Sequence, residues 1–131
     1  MSIFLKKLIW ANCTITGRMS RYDYWIYGIL SFYGTIISIA GLSFFLSYIF
    51  ENEIFNFIIY LCFGLYIWHA WSVTFKRLHD QNITGAFIFI NLIPIIGIIS
   101  SGVILISCMF RKGTIGPNEY GPDPTEIIRI F

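Results

Sequence analysis

The chain has 131 residues, enough for one domain; 56% are apolar and only 12% charged, and the net charge is +2. Soluble domains carry about 25% charged residues, so this composition argues against a water-facing surface, and so small a positive balance gives no reason to expect nucleic acid. The cysteines, Cys13, Cys62 and Cys108, are odd in number and form no CxxC pair, a spacing that suggests neither a zinc site nor a redox dithiol; no metal and no cofactor is expected.

In chain order, residues 1–19 read as an interfacial arm. Within it, residues 3–10 form a short helix with Phe4, Leu5 and Leu8 on one side and Lys6 and Lys7 beside them. That pattern predicts a helix lying in the membrane surface, its lysines reaching water. The apolar run Leu8–Ala11 is too short for a signal core. Ser20 with Asp23 has the spacing of a capping box, so a first span is predicted from about residue 21 to 50, with Tyr22, Tyr24, Trp25 and Tyr27 as an aromatic collar. Ser31, Gly34, Ser38 and Gly41 share one face and would admit another helix. Glu51 to Glu53 is an acidic turn.

A second span is predicted over about 54–76. His69, Ser72, Lys76 and His79 or Asp80 recur at helical steps, making a polar stripe that descends from the charged knot Lys76-Arg77-Leu78-His79-Asp80. The knot itself reads as a connection between spans. A third span, about 83–110, is predicted to kink at Pro94; a re-entrant hairpin bending at Pro94–Gly97 is the alternative. His69 and Asn91 are the intramembrane polar side chains. The tail, 111–131, holds too many Gly and Pro between residues 113 and 124 for regular structure and reads as turns, with Ile127, Ile128, Ile130 and Phe131 free to dock on the membrane or on the spans. The expected fold is therefore an all-α membrane protein with three transmembrane helices, an interfacial arm and a Gly/Pro-rich tail. With three spans, basic residues favour a cytoplasmic N-terminus by six to three; with the hairpin, all nine fall on one side.

Several stretches together resemble a known bacterial family of small inner-membrane proteins, that of domain of unknown function 805. They are Gly17-Arg18-x-Ser20-Arg21-x-Asp23-x-Trp25, Arg77-Leu78-His79-Asp80, Gly85, Pro94-x-x-Gly97 and the tail from Gly113-Thr114 to Asp123-Pro124. Ala86 departs from the aromatic residue common there, and Asp23 from a frequent Glu. The resemblance implies the bacterial inner membrane and brings no activity with it.

Arg18, Arg21, Asp23, Arg77, His79 and Asp80 are the candidate site residues. If the arm and the knot share one membrane depth, these residues form either an ion-paired clasp between segments or a site for an anionic headgroup or phosphate. His79 and Asp80 have the residue types for acid–base work, but neighbours on a helix do not face each other. The expected role is thus non-enzymatic: structural, lipid-contacting or partner-binding, with membrane lipid, a second copy or another membrane protein as partner. The alternatives are a small transport or channel component acting as an oligomer, and a membrane enzyme on lipid or phosphate substrates.

Overall fold

The computed structural model describes residues 3–49 and 53–127. Helix α1 (Ile3–Cys13) comes first, and the chain then runs without helix to Ser20. Ser20 accepts from the Asp23 amide at 3.1 Å, the cap expected from their spacing. One helical rod follows. It comprises a first turn, α2 (Arg21–Asp23), a π-helical segment (Tyr24–Leu30) and α3 (Ser31–Ile49). Its residues Arg21–Leu46 are long and apolar enough to cross a bilayer. The π segment has no sequence signature; Tyr24, Tyr27 and Gly28 are its buried residues.

Helix α4 (Glu53–Asp80) runs without interruption through the charged knot. The knot is therefore the last turn of a helix and not a connection. The reason is local: Lys, Arg and Leu are good helix formers, and nothing stops the helix before Asn82, which takes φ +57°.

The largest departure from expectation lies in residues 81–110. In place of one kinked helix over 83–110, the chain doubles back between Pro94 and Gly97, where the alternative hairpin was expected to bend. A 3-10 helix (Gly85–Leu92) leads out, and α5 (Ile96–Phe110) returns. At the apex Ile96 N–H donates to Pro94 O at 2.8 Å around Ile95, which takes φ +68° and ψ −56°. This is a γ-turn of the strained hand, unfavourable for a β-branched residue. Gly97 packs so closely on the outgoing arm that a Cβ there would lie 2.3 Å from Asn91 O. Asn91 Oδ1 accepts from Ser100 Oγ at 2.6 Å. At the open end Gln81 donates to Ser107 O at 3.0 Å and accepts from Ser107 Oγ at 2.8 Å. A proline without an N–H and a glycine without a side chain thus permit reversal where a kink was expected.

Gly113–Asp123 is a chain of turns, with Asn118 and Gly121 exchanging backbone bonds at 3.0 and 3.1 Å. The short helix α6 (Pro124–Ile127) follows. The expected acidic turn falls largely outside the described residues, as do Ile128, Ile130 and Phe131. The stripe expected to admit another helix is open at Gly34 and Gly41, where an added Cβ would meet nothing within 4 Å. Ser38 bonds back to Gly34 O at 2.8 Å. Exposure is inverted relative to a soluble protein. Phe44, Tyr48 and Ile98 are 78%, 87% and 79% exposed, whereas Lys76 and Arg77 are fully buried.

Candidate functional site

An α-helix leaves its last four carbonyls without intrahelical donors, and these carry the negative end of its dipole. Three such ends, those of α1, α4 and α5, converge on the knot, and the buried cations answer them. On α1, Lys76 Nζ donates to Trp10 O at 2.7 Å and Ala11 O at 2.9 Å while lying 4.6 Å from the Trp10 ring centroid. Trp68 Nε1 donates to Asn12 O at 2.8 Å, and Ser72 Oγ lies 2.7 Å from Ala11 O. His69 Nδ1 meets Asn12 Oδ1 at 2.5 Å. The polar stripe read from the sequence therefore forms through Lys76, and its counterpart is the end of α1.

On α5 each terminal carbonyl has its own side-chain donor. Gln81 takes Ser107 O. Arg77 Nε takes Cys108 O at 2.9 Å, Trp25 Nε1 takes Met109 O at 3.3 Å, and Arg21 takes Phe110 O at 3.2 Å. Arg77 reaches further, to Arg111 O and to Met19 O. The end of α4 is closed by the arm and the tail. Met19 N–H donates to Lys76 O at 3.0 Å, Asn118 Nδ2 to His79 O at 2.9 Å, and Thr114 N–H to Asp80 O at 2.8 Å.

Asp80 sits at the centre. Its Oδ1 accepts from Arg18 Nε at 3.1 Å and Nη2 at 3.0 Å, and its Oδ2 accepts from Arg77 Nη1. Arg18 gives its remaining N–H groups to Thr114 O at 2.6 Å, Gly116 O at 2.6 Å and Gly121 O at 3.2 Å. All five donors of a guanidinium are then satisfied inside the protein. Gly113 crosses so near that a Cβ would lie 2.0 Å from Asp80 Oδ2. Burial raises the Asp80 carboxyl above its ordinary value, while Arg77 and Arg18 pull it back.

The six candidate residues thus separate. Arg18, Arg77 and Asp80 form the ion-paired core. Arg21 caps α5 from the surface. Asp23 pairs instead with Lys7 at 3.0 Å and accepts from Ser20 Oγ at 3.0 Å, joining α1 to the start of the long helical rod. His79 turns away from Asp80. Its ring stacks on Tyr120 with centroids 4.0 Å apart, and Nδ1 faces Gly17 O at 3.2 Å. A carbonyl only accepts, so Nδ1 carries the hydrogen. Burial lowers the pKa of this imidazole, favouring its neutral form. Among the described residues no group of three His, Cys, Asp or Glu could hold a metal. Of the two polar side chains expected inside the membrane, His69 is bonded to α1 and Asn91 to α5.

Three contributors were not read as site residues. Lys76 was placed on the stripe but not in the site, because a charge in a knot reads as solvated. Lys7 offered no pairing signal. The tail contributes mainly backbone carbonyls, which any sequence possesses. The tail is held in turn by Asp123, which accepts from Gly116 N–H at 3.0 Å and Thr125 N–H at 2.8 Å. The bonds from Thr125, then that from Gly116 and the nearby Arg18, hold its carboxyl below the ordinary value. An undocked Asp titrates near pH 3.9. The contribution to docking is therefore complete above about pH 5 and lost as pH falls through about 4 to the docked value. Protease resistance of the tail should follow that curve, and Asp123→Asn should remove that part of the dependence. A wild-type tail equally resistant in acid would show that Asp123 is not its latch.

Residues 12–122 match the family described as protein of unknown function (DUF805). The chain belongs to this family. The DUF805 match encloses the ion-paired core from Arg18 to Gly121. Among relatives, the inner membrane protein YhaI of Escherichia coli (strain K12) is 26% identical over 110 residues, 83% of this chain and 84% of that protein. The inner membrane protein YhaH of the same strain is 41% identical over 54 residues, 41% of each chain, so the match spans under half of YhaH. No solved structure matches the chain. The relatives and the apolar exterior together make this DUF805 chain an integral protein of the bacterial inner membrane.

Proposed function

We propose that the protein is a non-enzymatic membrane scaffold that acts by contact with lipid or with a membrane partner. In this reading α3 and α4 are two full crossings, and the Gly85–Phe110 hairpin enters the bilayer and leaves on the same side. The observation that carries it is the complete internal use of the buried cations. Arg18 has all five donors bonded to protein, Arg77 caps α5, and His79 is stacked on Tyr120. Such a cluster fixes geometry and leaves no acid, base or nucleophile poised for chemistry.

The arm, the end of α4, the open end of the hairpin and the tail make one plate. Lys7, Arg18, Arg21, Lys76, Arg77, Arg111 and Lys112 all belong to it. Basic residues favour the cytoplasm, so both the arm and the tail are assigned there. Reporter fusions at each end test the arrangement. A fluorescent protein that matures only in the cytoplasm should be bright at either terminus. Alkaline phosphatase active at the C-terminal fusion would overturn the two-crossing arrangement.

A further inference from the structure

We propose that the hollow between Arg21 and Lys112 binds a phosphate group at the membrane surface. Its membrane source would be an anionic phospholipid headgroup and its soluble source inorganic phosphate. The proposal rests on the reading above that arm and tail share one surface, and it moves the anion site away from the Arg18–Arg77 core, whose donors are already engaged. The hollow holds ≈ 210 Å³ and is lined by Ser20, Arg21, Lys112, Gly113, Thr114 and Thr125, together with the two acidic residues Asp80 and Asp123.

The Asp80 charge is paired within the core. Asp123 keeps its charge with its oxygens turned to tail donors, so that the two cations of the hollow outnumber one unpaired carboxylate. Both Asp80 oxygens face guanidiniums, and both Asp123 oxygens accept from the tail. The cations differ from those of the core. Arg21 is exposed and, among the described residues, gives a single N–H to protein, at Phe110 O. Lys112 is exposed and has no side-chain partner among the described residues. A guanidinium can take a phosphate through two parallel bonds, with the lysine adding a point charge. Depth agrees with the assignment. Trp25 meets Phe110 edge-on at 6.3 Å beside the hollow, and Tyr22 is exposed next to Arg21; such rings collect at the headgroup level.

The test uses the full chain in detergent, offered phosphatidylglycerol or phosphatidylcholine and read by native mass spectrometry. Wild type should retain the anionic lipid in preference by roughly 30-fold, the value for two surface cations. Arg21→Gln with Lys112→Gln should bring the two lipids level. Arg111→Gln, outside the hollow, should leave the preference intact. Added inorganic phosphate distinguishes the sources: displacement of the lipid makes the bare anion a ligand, and retention assigns the site to lipid-borne phosphate. The proposal is overturned by a wild type without preference, by a double variant that keeps it, or by equal loss in Arg111→Gln, which would mean bulk charge. Thermal unfolding of Lys112→Gln should match wild type, and that of the double variant should fall only by the loss of the exposed Arg21–Phe110 O bond. The reporter fusions read topology alone, so the lipid preference can fail while the proposed arrangement stands, and the reverse.

Discussion

Asp80→Asn should destabilise the protein by about 3–5 kcal/mol, the range for removing one partner of a buried ion pair. The substitution keeps the volume and shape of the side chain, so cavity formation contributes little. What changes is that Arg18 and Arg77, both buried, lose the one carboxylate between them, and an amide N–H₂ is turned toward a guanidinium that also donates. Replacing all three residues by apolar ones is often neutral for an isolated buried triad. It should not rescue this one. The same guanidiniums satisfy Thr114 O, Gly116 O, Cys108 O and Arg111 O; all four would lose their donors, Cys108 O in a fully buried position. Denaturant unfolding in micelles measures both effects. A loss under about 0.5 kcal/mol, the scale of an ordinary surface change, would show that the core does not hold the segments together.

The second large effect belongs to Gly97→Ala, for which we expect a loss of about 3 kcal/mol, the upper end of overpacking. The new Cβ would meet Asn91 O at 2.3 Å and Asn91 C at 2.8 Å. Both are backbone atoms of the opposing arm, and neither can swing aside as a side chain would. The hairpin must part at its apex, breaking the Asn91–Ser100 bond. Gly102→Ala in the same helix is the control. Nothing lies within 4 Å of its added methyl, and alanine is the better helix former by about 1 kcal/mol, so this variant should be unchanged or stabilised. Hydrogen exchange across Ile96–Phe110 reads the difference. Equal exchange in the two variants would remove the close approach as the cause.

What could be read from the sequence was what is local. The Ser20–Asp23 cap needs only two residues three apart. The stripe from His69 to Lys76 needs only the helical period. Both formed. The apolar length after Arg21 likewise gave a span-length helix. The partners of these elements were hidden because they are backbone atoms. Carbonyls at the ends of α1 and α5 have no residue type, so no motif could announce that Lys76 and Arg77 would close them. Pro94 and Gly97 marked a bend. Whether the segment kinked or reversed depended on a γ-turn at Ile95, a residue that offers no turn signal. The knot misled in a third way. A run of charges in an apolar chain reads as the solvated piece, whereas here the carbonyl ends of α1 and α5 receive its two cations inside the protein.

The order in which the chain is made gives the core a further consequence. Arg18 emerges early, yet two of its acceptors lie 98 and 103 residues downstream. At about 5–20 residues per second, translation leaves that guanidinium without them for roughly 5–20 s. Arg77 waits a shorter time for Cys108 and Arg111, 31 and 34 residues on. A product that stops before Thr114 therefore leaves Arg18 without its three carbonyl acceptors and His79 O and Asp80 O, at the end of α4, without their donors from the tail. The last turns of the tail complete the earliest part of the molecule. Truncated chains should consequently be the form that membrane quality-control proteases remove, and the finished chain the form that persists.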